Sequence, residues 1–259
     1  MNIGFFDSGI GGLSVLREAL RLLPNEDYIY YADSDNAPYG TKTKEEVRKL
    51  TFDAVKLLNE KNIKALVIAC NTATSAAVRD LRQAYDFPVI GMEPAVKPAV
   101  EKSNNGGKRV LVLATPLTLK EEKFQNLVSR FDAGHIVDML PAPKLVEFAE
   151  KYAFDGPEVS EYIKEILPEN INRYGTLVLG CTHFPLFRKA LGAIIPEDID
   201  IIDGNKGTVN HLIDLLKSNN LLSRSDKKGK VTFYKSAEQV KDPITLEKYE
   251  AILYGSVFS

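Results

Sequence analysis

Leu177-Val178-Leu179-Gly180-Cys181-Thr182-His183-Phe184-Pro185 is an apolar run that stops abruptly at a small residue, a thiol, a hydroxyl and an imidazole. Upstream, Leu66-Val67-Ile68-Ala69-Cys70-Asn71-Thr72-Ala73-Thr74 repeats the grammar: apolar run, small residue, cysteine, then a threonine within two positions. Cys70 and Cys181 are the two cysteines of the chain. Short continuous apolar runs bounded by turn residues read as fully buried strands of parallel sheets. Open α/β sheets gather their ligand chemistry at the carboxyl ends of such strands. Each thiol therefore falls where a helix-covered sheet places reactive groups, and the rest of the chain reads as two scaffolds presenting one thiol each.

Outward from these two points, strands alternate with helical patterns. Residues 2–6 form a strand, Asp7-Ser8-Gly9-Ile10-Gly11-Gly12 a turn, and Leu13, Leu16, Leu20 and Leu23 one face of a helix stopped at Pro24. Strands follow at 28–32, 65–69 and 88–90, with helices between them; Thr43 and Glu46 make a capping box for the first of these. Residues 94–98, with two prolines, read as a passage out of a first domain, and Asn104-Asn105-Gly106-Gly107 as an exposed turn. The pattern then restarts, with strands at 109–113, 136–140, 177–179 and 199–203. A second capping box, Thr118 with Glu121, is expected to open the helix through Phe124, Leu127 and Phe131. Further helices read at 145–152, 159–167, 187–191 and 209–216, and a weak strand at 231–234. The segment after Asp203 is too short for a third domain and is expected to return to the first. The alternation implies an α/β fold of two mostly parallel, helix-flanked sheets.

Composition narrows the function. Among 259 residues, 33 basic and 35 acidic side chains leave a formal charge of -2 without a long basic block, which argues against nucleic-acid and membrane partners. The N-terminus lacks the charged start and apolar core of a signal peptide, so a cytoplasmic protein with reduced cysteines is expected.

A buried cysteine is often only a small hydrophobe. Two of them, both at strand ends beside hydroxyl residues, point to chemistry instead. A free thiol has a pKa of about 8.5, so it needs a neighbour to take or share its proton. Asp7, ending the first strand, and His183, two residues after Cys181, are the candidates. Helix-start N–H groups with Ser8, Asn71, Thr72, Thr115, Thr118 and Thr182 would hold a small carboxylate, and Tyr39 and Gly40 lie on a loop that could cover it. His135 and His211 lack such company and read as structural. Two rivals are weaker. Gly9-Ile10-Gly11-Gly12 with Asp33 imitates a dinucleotide fingerprint but has Ser14 in place of the last glycine. Cys70, Cys181 and His183 could make an open zinc site, though without the usual close ligand spacing.

The motifs Phe6-Asp7-Ser8-Gly9-Ile10-Gly11-Gly12, Pro38-Tyr39-Gly40, Ala69-Cys70-Asn71-Thr72-Ala73 and Gly180-Cys181-Thr182-His183-Phe184-Pro185 together resemble those of the glutamate racemases, within the aspartate/glutamate racemase superfamily. Similar aspartate racemases tend to carry Glu after the second Cys-Thr, so His183 favours glutamate. The resemblance implies two similar α/β domains with the substrate in the cleft between them, here 1–96 plus 207–259 and 97–206. It implies an isomerase that needs no cofactor or metal and makes D-glutamate for peptidoglycan. By that analogy Cys70, aided by Asp7, exchanges the α-proton on the D side, and Cys181, aided by His183, on the L side. Asp7, Ser8, Pro38, Tyr39, Gly40, Asn71, Thr72, Thr182 and His183 match substrate-binding positions, joined by Thr115 and Thr118. The family's glutamate after a Cys-Pro segment has its counterpart in Glu150, here after Ala142-Pro143. A homodimer is expected, since closing motions between domains favour an assembly that restrains them. An amino-acid binding protein shares the two-lobe architecture, but the expected lack of an export signal and a thiol on each lobe weigh against it; a thiol-dependent hydrolase or lyase would leave one cysteine unexplained.

Overall fold

The computed structural model describes residues 1–104 and 107–255; of the expected turn at Asn104–Gly107, Asn105 and Gly106 therefore lie outside the described residues. Strand β1 (Asn2–Asp7) is buried almost end to end, which requires cover on both faces. It is followed by α1 (Leu13–Leu22), β2 (Tyr28–Ala32), α2 (Lys44–Glu60), β3 (Ile63–Ile68), α3 (Asn71–Ala84) and β4 (Val89–Gly91). The middle of the chain gives α4 (Val96–Asn104), β5 (Arg109–Ala114), α5 (Pro116–Lys120), α6 (Glu122–Phe131), β6 (Val137–Pro141), α7 (Pro143–Glu150), α8 (Pro157–Ile166), β7 (Tyr174–Leu179), α9 (Arg188–Gly192) and β8 (Asp200–Asp203). The rest gives α10 (Asn205–Ser218), β9 (Val231–Lys235), β10 (Glu238–Gln239) and α11 (Pro243–Tyr254).

Two sheets result, ordered β10-β9-β2-β1-β3-β4 and β6-β5-β7-β8. Every pairing is parallel except β9 with β10. The α/β class is the one the alternating pattern implies. The later chain returns to the first sheet, where β9 pairs with β2 and sets Phe233 beside Tyr30. One core joins the two sheets, with Phe5, Tyr30 and Val67 in the same cluster as Leu113, Leu179, Phe184 and Phe187. Full burial of such a side chain is worth roughly 2–3 kcal/mol, so this shared core ties the sheets together. Separate clusters lie beneath α2 and α3 (Val47, Leu58, Leu66, Leu81) and beneath α4 and α6 (Val100, Val112, Phe124, Val178). Among the described residues no helix is long and apolar enough to cross a membrane.

Within residues 94–98, α4 begins at Val96, and Pro98 sits in its first turn, where a missing N–H costs no helical bond. The second capping box does not form. Thr115 caps α5 instead, accepting from the Thr118 N–H at 3.3 Å with Pro116 at the first helical position, and Glu121 starts α6 without a side-chain cap. Helix α11 was not anticipated, although Asp242, Pro243 and the Thr245 N–H, 2.8 Å from Asp242 Oδ1, form a regular helix start. Its apolar residues are not confined to one stripe; Ile244 is 68% exposed, so periodicity does not reveal it.

Candidate active site

The three strand tips Asp7, Cys70 and Cys181 meet where the sheets face each other. Cys70 follows β3 by two residues and is the N-cap of α3, which starts earlier than its apolar pattern suggests. Its Sγ accepts from the Ser8 hydroxyl and the Ala73 N–H, both at 3.4 Å. A helix N-terminus favours a thiolate. Burial, and then the neighbouring Asp7 charge, outweigh that and push the Cys70 thiol up to about 12. The resting group is a thiol. Asp7 is fully buried; its Oδ1 accepts from the Gly9 N–H at 3.0 Å and its Oδ2 from the Thr182 hydroxyl at 2.9 Å. Burial raises the Asp7 carboxyl to about 6, against the pull of His183 and these donors.

On the other side, Cys181 Sγ lies 3.7 Å from His183 Nδ1, and His183 Nε2 lies 2.7 Å from Glu150 Oε1. The Ile10 N–H donates to the same Oε1 at 2.8 Å. Burial disfavours an imidazolium, but the hydrogen bonds with Cys181 and Glu150 outweigh it and hold His183 well above the usual histidine range. His183 thus bridges the Cys181 sulfur and the Glu150 carboxylate through its two ring nitrogens. Glu150, a secondary candidate from the sequence, is seated directly on His183 at the last residue of α7. The glycines of the first turn explain how these groups approach. A Cβ at Gly9 would overlap Glu150 Oε1, one at Gly11 would lie 2.6 Å from His183 Nδ1, and one at Gly12 2.6 Å from the Asp7 Cβ.

Thr72, Thr115 and Thr118 form a hydroxyl triangle, each about 3 Å from the others: 3.0 Å from Thr72 to Thr115, 3.0 Å from Thr72 to Thr118, and 2.9 Å from Thr115 to Thr118. It bridges α3 to α5 and its N-cap. Asn71 is 3% exposed, and its Oδ1 and Nδ2 are buried without a hydrogen-bond partner. Burying an unpaired amide costs about 1–3 kcal/mol, so this side chain is set for a partner other than the protein. Gly40 lies against Thr115, where a Cβ would overlap the threonine side chain. Tyr39 is placed differently from a ligand-facing residue: its buried hydroxyl donates to Asp33 Oδ2 at 2.6 Å, and its ring packs on Phe6 with centroids 6.2 Å apart. Pro38, half-buried, precedes the short turn that carries both. Asp33, the acid of the imitated dinucleotide fingerprint, is thereby occupied by Tyr39 and by Asn36. Among the described residues, no group of three or more His, Cys, Asp or Glu side chains converges as a metal cage. Tyr30 and Ile10 touch this network and were not anticipated; neither one tyrosine among the three of β2 nor an apolar turn residue carries a sequence signal for a backbone contact.

Fold and site define a class, an α/β protein in which two facing sheets each deliver a buried thiol beside hydrogen-bonding side chains. The family model of the Asp/Glu/hydantoin racemases matches residues 7–212. The chain is 59% identical over 254 residues to the glutamate racemase of Halothermothrix orenii, covering 98% of this chain and 99% of that one. Among solved structures it is similar to the glutamate racemase of Francisella tularensis in complex with D-glutamate, at 30% identity and a TM-score of 0.80, covering 97% and 92% of the two chains. It is likewise similar to that of Escherichia coli in complex with L-glutamate and the activator UDP-MurNAc-ala, at 31% identity and a TM-score of 0.79, covering 96% and 95%. The chain belongs to the Asp/Glu/hydantoin racemase family and groups with its glutamate racemases, so the isomerase expected from the sequence motifs is borne out.

Proposed function

We propose that this enzyme interconverts L- and D-glutamate without a cofactor, by proton transfer between the α-carbon and two cysteines placed on its opposite faces. The observation that carries the reading is that each thiol has its own partner, Ser8 and Asp7 beside Cys70, His183 and Glu150 beside Cys181. Inverting a stereocentre by proton transfer needs one base and one acid on opposite sides at the same moment. In the L-to-D direction Cys181, passing its proton to His183, removes the α-proton, and the Cys70 thiol returns its own proton to the other face. The D-to-L direction runs through the complementary state. The buried Asn71 amide supplies a fixed donor for a substrate carboxylate, with the threonine hydroxyls beside it free to reorient towards the ligand, and together they stabilise the carbanion in a site closed to water.

Residues 1–96 with 207–259 and residues 97–206 act as the two lobes, and the substrate sits between them. The enzyme works as a cytoplasmic homodimer and supplies D-glutamate to peptidoglycan synthesis. The test is purified, EDTA-treated enzyme with L-glutamate in deuterium oxide, following optical rotation and α-deuterium together. Both signals are expected to change with no cofactor added. Cys70→Ala and Cys181→Ala should each lower the racemisation rate by at least ~10³-fold, the scale of a lost general acid–base group. Either variant racemising at the parent rate would overturn the two-thiol reading; tight glutamate binding without exchange in the parent would point to a binding protein.

A further inference from the structure

The tyrosine at the centre of β2 reaches the site through a single peptide group. Tyr30 is fully buried, and its hydroxyl donates to the Gly9 carbonyl at 2.6 Å. That carbonyl and the Ile10 N–H belong to the same peptide unit, and the N–H donates to Glu150 Oε1 at 2.8 Å. The same oxygen is the one 2.7 Å from His183 Nε2, with Cys181 beyond Nδ1. We propose that Tyr30 is a positioning residue for the Cys181 side of the reaction: by fixing and polarising the Gly9–Ile10 peptide, it keeps Glu150 seated on His183.

Three observations support this. A donor on an amide oxygen polarises the amide and strengthens its N–H as a donor, so the two bonds reinforce each other. Gly9 leaves the peptide without a side chain to restrain it, and the space a Cβ would need is already filled by the Glu150 carboxylate. The hydroxyl remains a donor at all working pH values, because burial and then the Asp7 charge push Tyr30 far above the usual phenol range. The groups facing it are Asp7, Tyr249, Glu150 and Tyr152, and those facing His183 are Cys181, Glu150 and Asp7. The neighbouring peptide donates its Gly9 N–H to Asp7 instead, so loss of the Tyr30 hydroxyl acts chiefly on the Glu150 side.

The assignment rests on the proposed pairing of Cys181 with His183, and its test is chosen to be read without turnover. Tyr30→Phe keeps the ring that packs edge-on against Phe233 and Tyr249 and removes only the hydroxyl. Tyr28→Phe is the control: its hydroxyl also bonds to backbone carbonyls, those of Ala19 and Leu23, away from the site. In protein labelled with ¹⁵N-histidine, the His183 imidazolium is expected to lose its proton at a pH lower by at least ~0.5 in Tyr30→Phe, because a mobile Glu150 supports the charge less. The control should titrate like the parent. kcat/KM should fall about tenfold, equally in both directions since mirror-image substrates have equal free energy, with the loss mainly in kcat. An unmoved His183 titration in Tyr30→Phe, or the same shift in Tyr28→Phe, would overturn the assignment. Racemisation surviving in Cys181→Ala would instead strike the two-thiol reading, and the titration would still judge Tyr30.

Discussion

Asp7 carries a large electrostatic cost for its position. An aspartate in the unfolded chain titrates near 3.8, and this one near 6, so the folded state binds the proton more tightly. Its contribution therefore favours folding below about pH 4 and is lost as pH rises through 6. The loss is about 3 kcal/mol, because a tenfold difference in proton affinity between the folded and unfolded states corresponds to about 1.4 kcal/mol. Asp7→Asn should therefore melt higher than the parent at pH 8 while the two converge near pH 4, and its racemisation should fall by ~10²-fold or more. Thermal unfolding at both pH values, with activity at pH 8, checks it; an Asn variant less stable at pH 8 would show that the Thr182 and Gly9 bonds outweigh the buried charge. At this scale the sequence was informative where chemistry is written in side chains: Asp7, Cys70, Cys181 and His183 stand out as types at strand ends. It was silent where the contact is to backbone. The first-turn glycines look like ordinary turn formers, and only the fold shows that Glu150, His183 and Asp7 occupy the space their side chains would take.

Among the helices, two threonine caps look alike in sequence and serve different ends. Thr43 accepts from the Glu46 N–H at 3.3 Å while Glu46 Oε2 accepts from the Thr43 N–H at 2.8 Å, on an exposed surface. Thr115 caps α5 by the same kind of bond but is buried in the threonine triangle. Thr43→Ala should cost about 1 kcal/mol in urea unfolding and leave kinetics unchanged. Thr115→Ala should cost a similar amount or more and, on the proposed role of the triangle in substrate binding, also raise the KM for glutamate several-fold. Equal kinetics in the two variants would detach the triangle from substrate binding. The exposed capping box was legible because it is wholly local. The Thr118–Glu121 reading failed because Thr118 lies inside α5, capped by Thr115, and α6 starts only after Glu121; the Thr118 hydroxyl meets Thr72, 46 residues away in the chain, a partner that local spacing cannot reveal.

Across the whole molecule, the bonds that complete the site are the same ones that close it. Asp7 to Thr182, Thr72 to Thr115 and Thr118, and Ile10 to Glu150 all join the region of the first sheet to that of the second. Cys70 is 5% exposed and Cys181 7%, so neither thiol meets solvent freely in this arrangement. On the proposed two-thiol reading a substrate enters this site before it is enclosed, so these bridging bonds are expected to part and re-form, the closed state keeping water out. Thiol alkylation reads that opening directly, because a buried thiol reacts only from the open population. Iodoacetamide should modify the folded enzyme far more slowly than the unfolded chain, and saturating glutamate should slow it further. Thr72→Ala removes two of the three bonds in the triangle without touching either thiol, and should speed alkylation several-fold in the free enzyme. A Thr72→Ala rate equal to the parent's would mean that the shared core of Phe5, Tyr30, Leu179 and Phe184, rather than the hydroxyl bridge, sets how often the lobes separate.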